Sequence, residues 1–311
     1  MDSLCGLWID DEGIAHLSVA NDDGGRIELI ERFQPFAWAG AQMEEEGPSD
    51  VRQIPLRGSG PYTVLVQSES MKAYDEWLVH AKSKNGLVDA IRPMESQFLL
   101  QTRRRLFSDL PFSGLRRCQL DIETGSENGS FSNASRAGDR ILAIGLQFGS
   151  RNRTLVLGEL SSAAERSLLE ELNRILAEED PDTIEGHNLF KFDLEYLRIR
   201  CRRLKVPCNW GRFGQEAVWR NARLKVAERW IDFPRCDIPG RTVVDSFLLV
   251  QLYDIGTREL TSFGLKDVAV AFGVTPQNAA EEGTRTYLQG NAIQEAYLKQ
   301  RERFLAYLAD D

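Results

Sequence analysis

The sequence predicts an α/β fold: a mixed five-stranded sheet flanked by helices, preceded by a smaller β-rich α+β domain. Three observations carry this. Short segments of period-two alternation separated by Asp/Gly turns dominate the first hundred residues. From about residue 114 the pattern changes to three neighbouring strands followed by αβαβα, which implies a mixed sheet covered by helices. Apolar residues make up 42% of the chain and charged residues 27%, an ordinary globular balance without a disorder signature.

In order along the chain, Gly6–Asp10, Ile14–Val19, Arg26–Phe33 and Tyr62–Val66 read as strands, and residues 39–60, rich in Gly, Glu and Pro, as an exposed loop. A helix is expected over Met71–Ser83 and a boundary within Ser108–Gly114, giving domains 1–113 and 114–311. The apolar run before Asp121 is a strand. Ile141–Phe148 and Arg153–Leu160 follow as a hairpin around Gly149–Asn152. Residues 162–178 have helical periodicity, with Leu168, Leu169, Leu172, Ile175 and Leu176 on one face and Pro181 as the stop. Thr183–His187 and Arg241–Phe247 are expected strands, and Phe190–Lys205, Ser262–Phe272 and Ile293–Ala309 expected helices.

Composition excludes several classes. No apolar run approaches the roughly 18–20 residues that span a bilayer, and Met1–Cys5 lacks a signal-peptide pattern, so a cytoplasmic protein without membrane partners is expected. Five cysteines, Cys5, Cys118, Cys201, Cys208 and Cys236, contain no C-x2-C pair, which points to reduced thiols. The three histidines, His16, His80 and His187, are too scattered for a His-based metal centre. Any metal would be held by oxygen, which favours magnesium or manganese.

Asp121-Ile122-Glu123-Thr124 is the most informative stretch. Residues two apart on a strand share a face, so Asp121 and Glu123 project side by side and repel unless a cation sits between them. They stand at the carboxyl end of a strand, where α/β sheets place ligands. A second acid, Asp193, shares a helix face with Leu189, Tyr196 and Leu197 and points inward, where a carboxylate needs a partner; a dipole-favoured acid of the first turn is the other reading. At the chain end Tyr307 and Asp311 are stacked four apart, with acids opposing the helix dipole. A polar chain end explains that segment equally when it is read alone.

Asp-x-Glu on the first sheet strand, Asn188-x3-Phe192-Asp193 after a later strand and Tyr307-x3-Asp311 on a final helix resemble, in order and spacing, the three exonuclease motifs of family B DNA polymerases. The resemblance extends to Pro93–Leu100 with Arg104, Leu106 and Phe107, to Gly240–Asp245 and to Leu260–Leu265; it covers residues 114–311, and the first hundred residues look like that family's amino-terminal domain. It implies an RNase H-like core and a DEDDy-type 3′–5′ exonuclease acting on the 3′ end of single-stranded DNA with two Mg²⁺ or Mn²⁺ ions. Asp121 would bridge the ions, Glu123 and Asp311 would complete the nucleophile-side site, Asp193 would support the second ion and Tyr307 would orient the nucleophile. Thr124, Asn188 and Phe192 fall at substrate-contacting positions, and Asp245 at a supporting one.

The net charge is −9, yet residues 196–230 hold ten Lys or Arg against Glu216 and Glu228. With Trp210, Phe213, Trp219 and Trp230 this window coincides with a family hairpin that touches DNA, and either a base-stacking contact surface or ordinary packing of the tryptophans is consistent with it. No Ser-Leu-Tyr-Pro-Ser or Asp-Thr-Asp segment occurs, so polymerisation is not expected. The chain ends on Asp311, which reads as a fragment of a longer polymerase-like protein or a naturally short relative. A catalytically silent nucleic-acid-binding fragment and an RNA-directed DEDDy exonuclease are the alternative functions.

Overall fold

The computed structural model describes residues 3–41, 50–127, 131–276, 286, 288 and 290–310, without the side chains of Asn291 and Asp310. The chain divides into two compact units, Met1–Gly114 and Leu115–Asp311. Among the described residues no helix is long and apolar enough to cross a membrane.

In the first unit β1 (Ser3–Ile9), β2 (Ile14–Ala20) and β3 (Arg26–Arg32) form an antiparallel sheet. A second sheet has the order β5-β6-β4-β7, from β4 (Phe36–Ala39), β5 (Val51–Pro55), β6 (Val64–Ser68) and β7 (Val88–Asp89). Helix α1 (Met71–Ser83) starts where expected because the Ser70 hydroxyl accepts from Ala73 N–H at 3.2 Å. It buries Tyr74, Trp77 and Leu78. Helix α2 (Met94–Thr102) supplies the buried Gln97, which accepts from Phe36 N–H (2.8 Å) and donates to Tyr74 Oη (3.1 Å) and to the Ile91 carbonyl (2.8 Å). Residues 39–60 are not wholly loop: β5 is an edge strand there, closed by Pro55.

The second unit contains β8 (Arg117–Thr124), β9 (Ile141–Phe148), β10 (Arg151–Val156), α3 (Ser162–Glu179), β11 (Thr183–Gly186), α4 (Asp193–Leu204), β12 (Val218–Val226), β13 (Arg229–Asp237), β14 (Thr242–Asp245), α5 (Ser246–Thr257), α6 (Leu265–Ala271), α7 (Ile293–Lys299) and α8 (Arg301–Asp310). Its five-stranded sheet has the order β10-β9-β8-β11-β14. The first three strands are antiparallel, and β8, β11 and β14 are parallel. The expected mixed sheet with flanking helices is therefore present. Helix α3 buries Leu168, Leu169, Leu172, Ile175 and Leu176, each contributing roughly 1.5–3 kcal/mol on full burial.

Four expected boundaries are corrected. β10 begins at Arg151, so the turn before it is shorter than Gly149–Asn152. Helix α4 starts at Asp193 rather than Phe190, because Asn188 adopts φ +64° and turns the chain first. The strand over 241–247 ends at Asp245, whose side chain caps the unexpected α5 by accepting from Phe247 N–H at 3.0 Å. The last helix is two, since Gln300 leaves helical geometry at φ −136°.

Ionic networks tie the elements together. Arg200 on α4 and Glu165 on α3 form a fully buried pair. Arg200 also donates to the carbonyls of Ala134, Arg136 and Ala137 at 3.1, 2.7 and 3.3 Å, and Glu165 accepts from Ile141 N–H at 3.1 Å. A second network sets the start of β11. Asp182 accepts from Arg116 N–H (2.9 Å) and Arg212 (2.8 Å), and Asp180 from Arg212 (2.7 Å) and Arg241 (3.0 Å). Burial lowers the Arg241 guanidinium to about 10, aided by the neighbouring Arg212 and opposed by Asp180 and Asp182.

Candidate active site

The carboxyl end of β8 is a junction. One neighbour, β9, runs antiparallel and the other, β11, parallel, and β11 delivers the loop that starts α4. Gly186, the last residue of β11, makes a close approach here: a Cβ would lie 2.8 Å from the Leu120 carbonyl oxygen and from Leu189 Cδ1. Any larger residue would push β11 away from β8 beside Asp121.

Asp121 and Glu123 lie on one face of β8, opposite Gly145 and Ala143 of β9. Asp121 is half-buried and Glu123 is buried. Asp193, at the first position of α4, is 3% exposed and accepts from Ile122 N–H at 3.1 Å. This bond anchors α4 to β8 between the two strand acids. Burial raises the Asp193 carboxyl well above the usual carboxylate range and the charge of Asp121 raises it further, against the Ile122 hydrogen bond. A buried carboxyl facing a second, half-buried one suits a hard cation with oxygen ligands. Among the described residues no group of three or more His, Cys, Asp or Glu gathers as a metal site. Asp311, expected as the fourth acid, lies outside the described residues.

Tyr307, on α8, is buried, with the Lys266 ammonium of α6 5.2 Å from its ring centroid. The same helix lies over the strand facing Asp121, since a Cβ on Gly145 would meet Leu308 Cδ1 at 3.4 Å. Thr124 is buried and its hydroxyl is 2.6 Å from Ser132 Oγ. Phe192 is 38% exposed, its ring 5.8 Å from that of Tyr196, and so offers an apolar surface next to Asp193. Asp121 opens onto a cleft of about 560 Å³ lined also by Gln119, Gln147, Glu185, His187 and Leu308.

Asp245 works on the backbone. It accepts from the N–H groups of Asn188 (2.9 Å) and Phe190 (3.0 Å) as well as capping α5, so one buried carboxylate holds the turn that leads to Asp193. Sequence reasoning passed over Lys266, and no local pattern distinguishes it from any other helical lysine.

The basic window runs from α4 through the segment that carries Arg212 and along β12 to the start of β13, with which β12 forms a hairpin. Half of its cations already have acids: Arg198 pairs with Glu195, Arg200 with Glu165, Arg212 with Asp180 and Asp182, Arg220 with Asp237 and Arg223 with Asp232. Arg202, Arg203, Lys205, Lys225 and Arg229 have no acid partner within 4.0 Å among the described residues. The tryptophans also divide. Trp210 is 1% exposed and packs edge-on against Trp219, whereas Trp230 is 54% exposed beneath Arg223.

The mixed five-stranded sheet flanked by helices brings Asp121 and Asp193 together at the carboxyl end of its central strand. Residues 107–268, just over half of the chain, match the family described as DNA polymerase family B, exonuclease domain. The chain belongs to that family. It is 27% identical over 180 residues to a DNA polymerase of Archaeoglobus fulgidus, covering 57% of this chain and 20% of the relative. It is 33% identical over 112 residues to DNA polymerase II of Escherichia coli, covering 36% of this chain and 13% of the relative. The solved structure of the family B DNA polymerase from Pyrobaculum calidifontis superposes with a TM-score of 0.72 at 19% identity, over 100% of this chain and 44% of that one. The chain thus spans a fifth or less of these two curated relatives.

Proposed function

We propose that the chain is a proofreading-type 3′–5′ exonuclease that hydrolyses phosphodiester bonds at the 3′ end of single-stranded DNA, within a longer polymerase-like protein. Residues 1–113 would be its amino-terminal domain and 114–311 its exonuclease domain. The observation that carries this reading is the approach of Asp193 to Asp121, anchored by the Ile122 N–H.

Asp121, Glu123, Asp193 and Asp311 would hold two Mg²⁺ or Mn²⁺ ions. Such ions, when bound, activate water and stabilise the departing 3′-oxygen. The protein's own part is positioning. Tyr307 is suited to hydrogen-bonding the attacking water, since a phenolic hydroxyl can both donate and accept. Phe192 would stack on the terminal base, with Asn188 and Thr124 shaping its pocket, and the exposed Trp230 of the hairpin would contact the strand.

The test uses 5′-labelled single-stranded DNA and RNA oligonucleotides of one sequence, incubated with the chain and Mn²⁺. Stepwise shortening of the DNA from its 3′ end is expected. Shortening from the 5′ end, or none, would overturn the reading, and faster loss of the RNA would reassign the substrate.

A further inference from the structure

His187 follows β11 directly and both of its ring nitrogens are engaged. Nε2 is 2.8 Å from the carbonyl oxygen of Phe263, which can only accept, so Nε2 carries a proton and donates. Nδ1 is 2.9 Å from Ser246 Oγ at the start of α5. That hydroxyl also lies 3.1 Å from the Gly186 carbonyl oxygen, so Ser246 Oγ sits within hydrogen-bonding distance of both the ring and the end of β11. Phe247 meets the imidazole edge-on with centroids 5.5 Å apart. The ring is therefore held on three sides.

Its two attachments lead to opposite halves of the site. On one side His187 adjoins Asn188, whose N–H is held by Asp245 and whose carbonyl accepts from Phe192 N–H at 3.0 Å, one residue before Asp193. On the other, Phe263 sits two residues before α6, which carries the Lys266 ammonium against the Tyr307 ring. The geometry points to His187 as a positioning residue that fixes α6, and through it Lys266 and Tyr307, relative to the Asp121–Asp193 pair. This rests on the exonuclease reading for its catalytic consequence but not for its structural one.

Two substitutions separate the bond from the bulk. His187→Leu leaves the Phe263 carbonyl without its donor, whereas His187→Gln retains an N–H that can reach it. In the nuclease assay kcat should fall about 10–100-fold for His187→Leu, the range of supporting-residue losses. KM should be nearly unchanged, and His187→Gln should recover most of the rate. Hydrogen exchange followed by mass spectrometry supplies a readout independent of catalysis. Exchange should rise over residues 262–271 and 301–310 in His187→Leu while α3 stays protected. Wild-type exchange in both segments would overturn the inference, whether or not the wild-type chain cleaves DNA. A wild-type chain without activity would overturn the exonuclease reading alone. Should His187→Leu fail to fold, a cycle of His187→Asn, whose shorter side chain does not reach the Phe263 carbonyl, with Lys266→Met, read by exchange over 301–310, decides: strictly additive effects would exclude coupling through α6.

Discussion

Asp121→Ala should lower the rate of 3′-nucleotide release by about 10²–10³-fold, the range for loss of one preorganised charge-stabilising group, while the domain melts at the same temperature or slightly higher. The two effects share a cause. In the absence of a cation Asp121 opposes ionisation of the buried Asp193, so removing it relieves like-charge repulsion while also removing a ligand. Mn²⁺ should raise the melting temperature of the wild type and leave that of the variant unchanged. Single-turnover cleavage and thermal melts with and without Mn²⁺ check both parts; wild-type cleavage by Asp121→Ala would remove this residue from the mechanism.

Arg200→Met should destabilise the second unit by about 3–5 kcal/mol, because Glu165 is left fully buried without its cation. For a unit of this size that corresponds to roughly 6–20 °C in melting temperature. The double substitution Arg200→Met with Glu165→Leu should recover much of the loss, since a packed apolar pair avoids desolvating two ions. The bond to Ile141 N–H complicates full recovery, as Glu165 also satisfies the start of β9. Denaturant melts of the two single variants and the double variant measure the coupling; a loss in the double variant equal to the sum of the two single losses would show that Arg200 and Glu165 act independently.

Legibility in the sequence followed the range of the interactions. The α3 helix was readable because five apolar residues fall on one face and are all buried, and the β8 acids because two-residue spacing on a strand is a local rule. Helix α5 was hidden: Ser246–Thr257 is nearly continuous in apolar residues, and Leu249, Tyr253 and Ile255 are exposed, so no clean period emerges. β5 was masked by turn-rich neighbours and Pro55. In the site, Asp193 could be placed inward from helical spacing alone. The duties of Asp245, His187 and Lys266 depend on partners 55 or more residues away, or on another helix, and no local pattern encodes them.

The internal pairing of the basic window has a consequence for how a strand would respond to ionic strength. Were all ten cations to displace counterions from a single strand, log K would fall with log salt at a slope of about −7; the five without acid partners among the described residues would give about −3.5. Titration of a short oligothymidylate at several salt concentrations should return the shallower value. Affinity on a surface with the shallower slope falls less steeply as salt rises, which leaves stacking on groups such as Trp230 to supply a larger share of the binding at physiological concentrations.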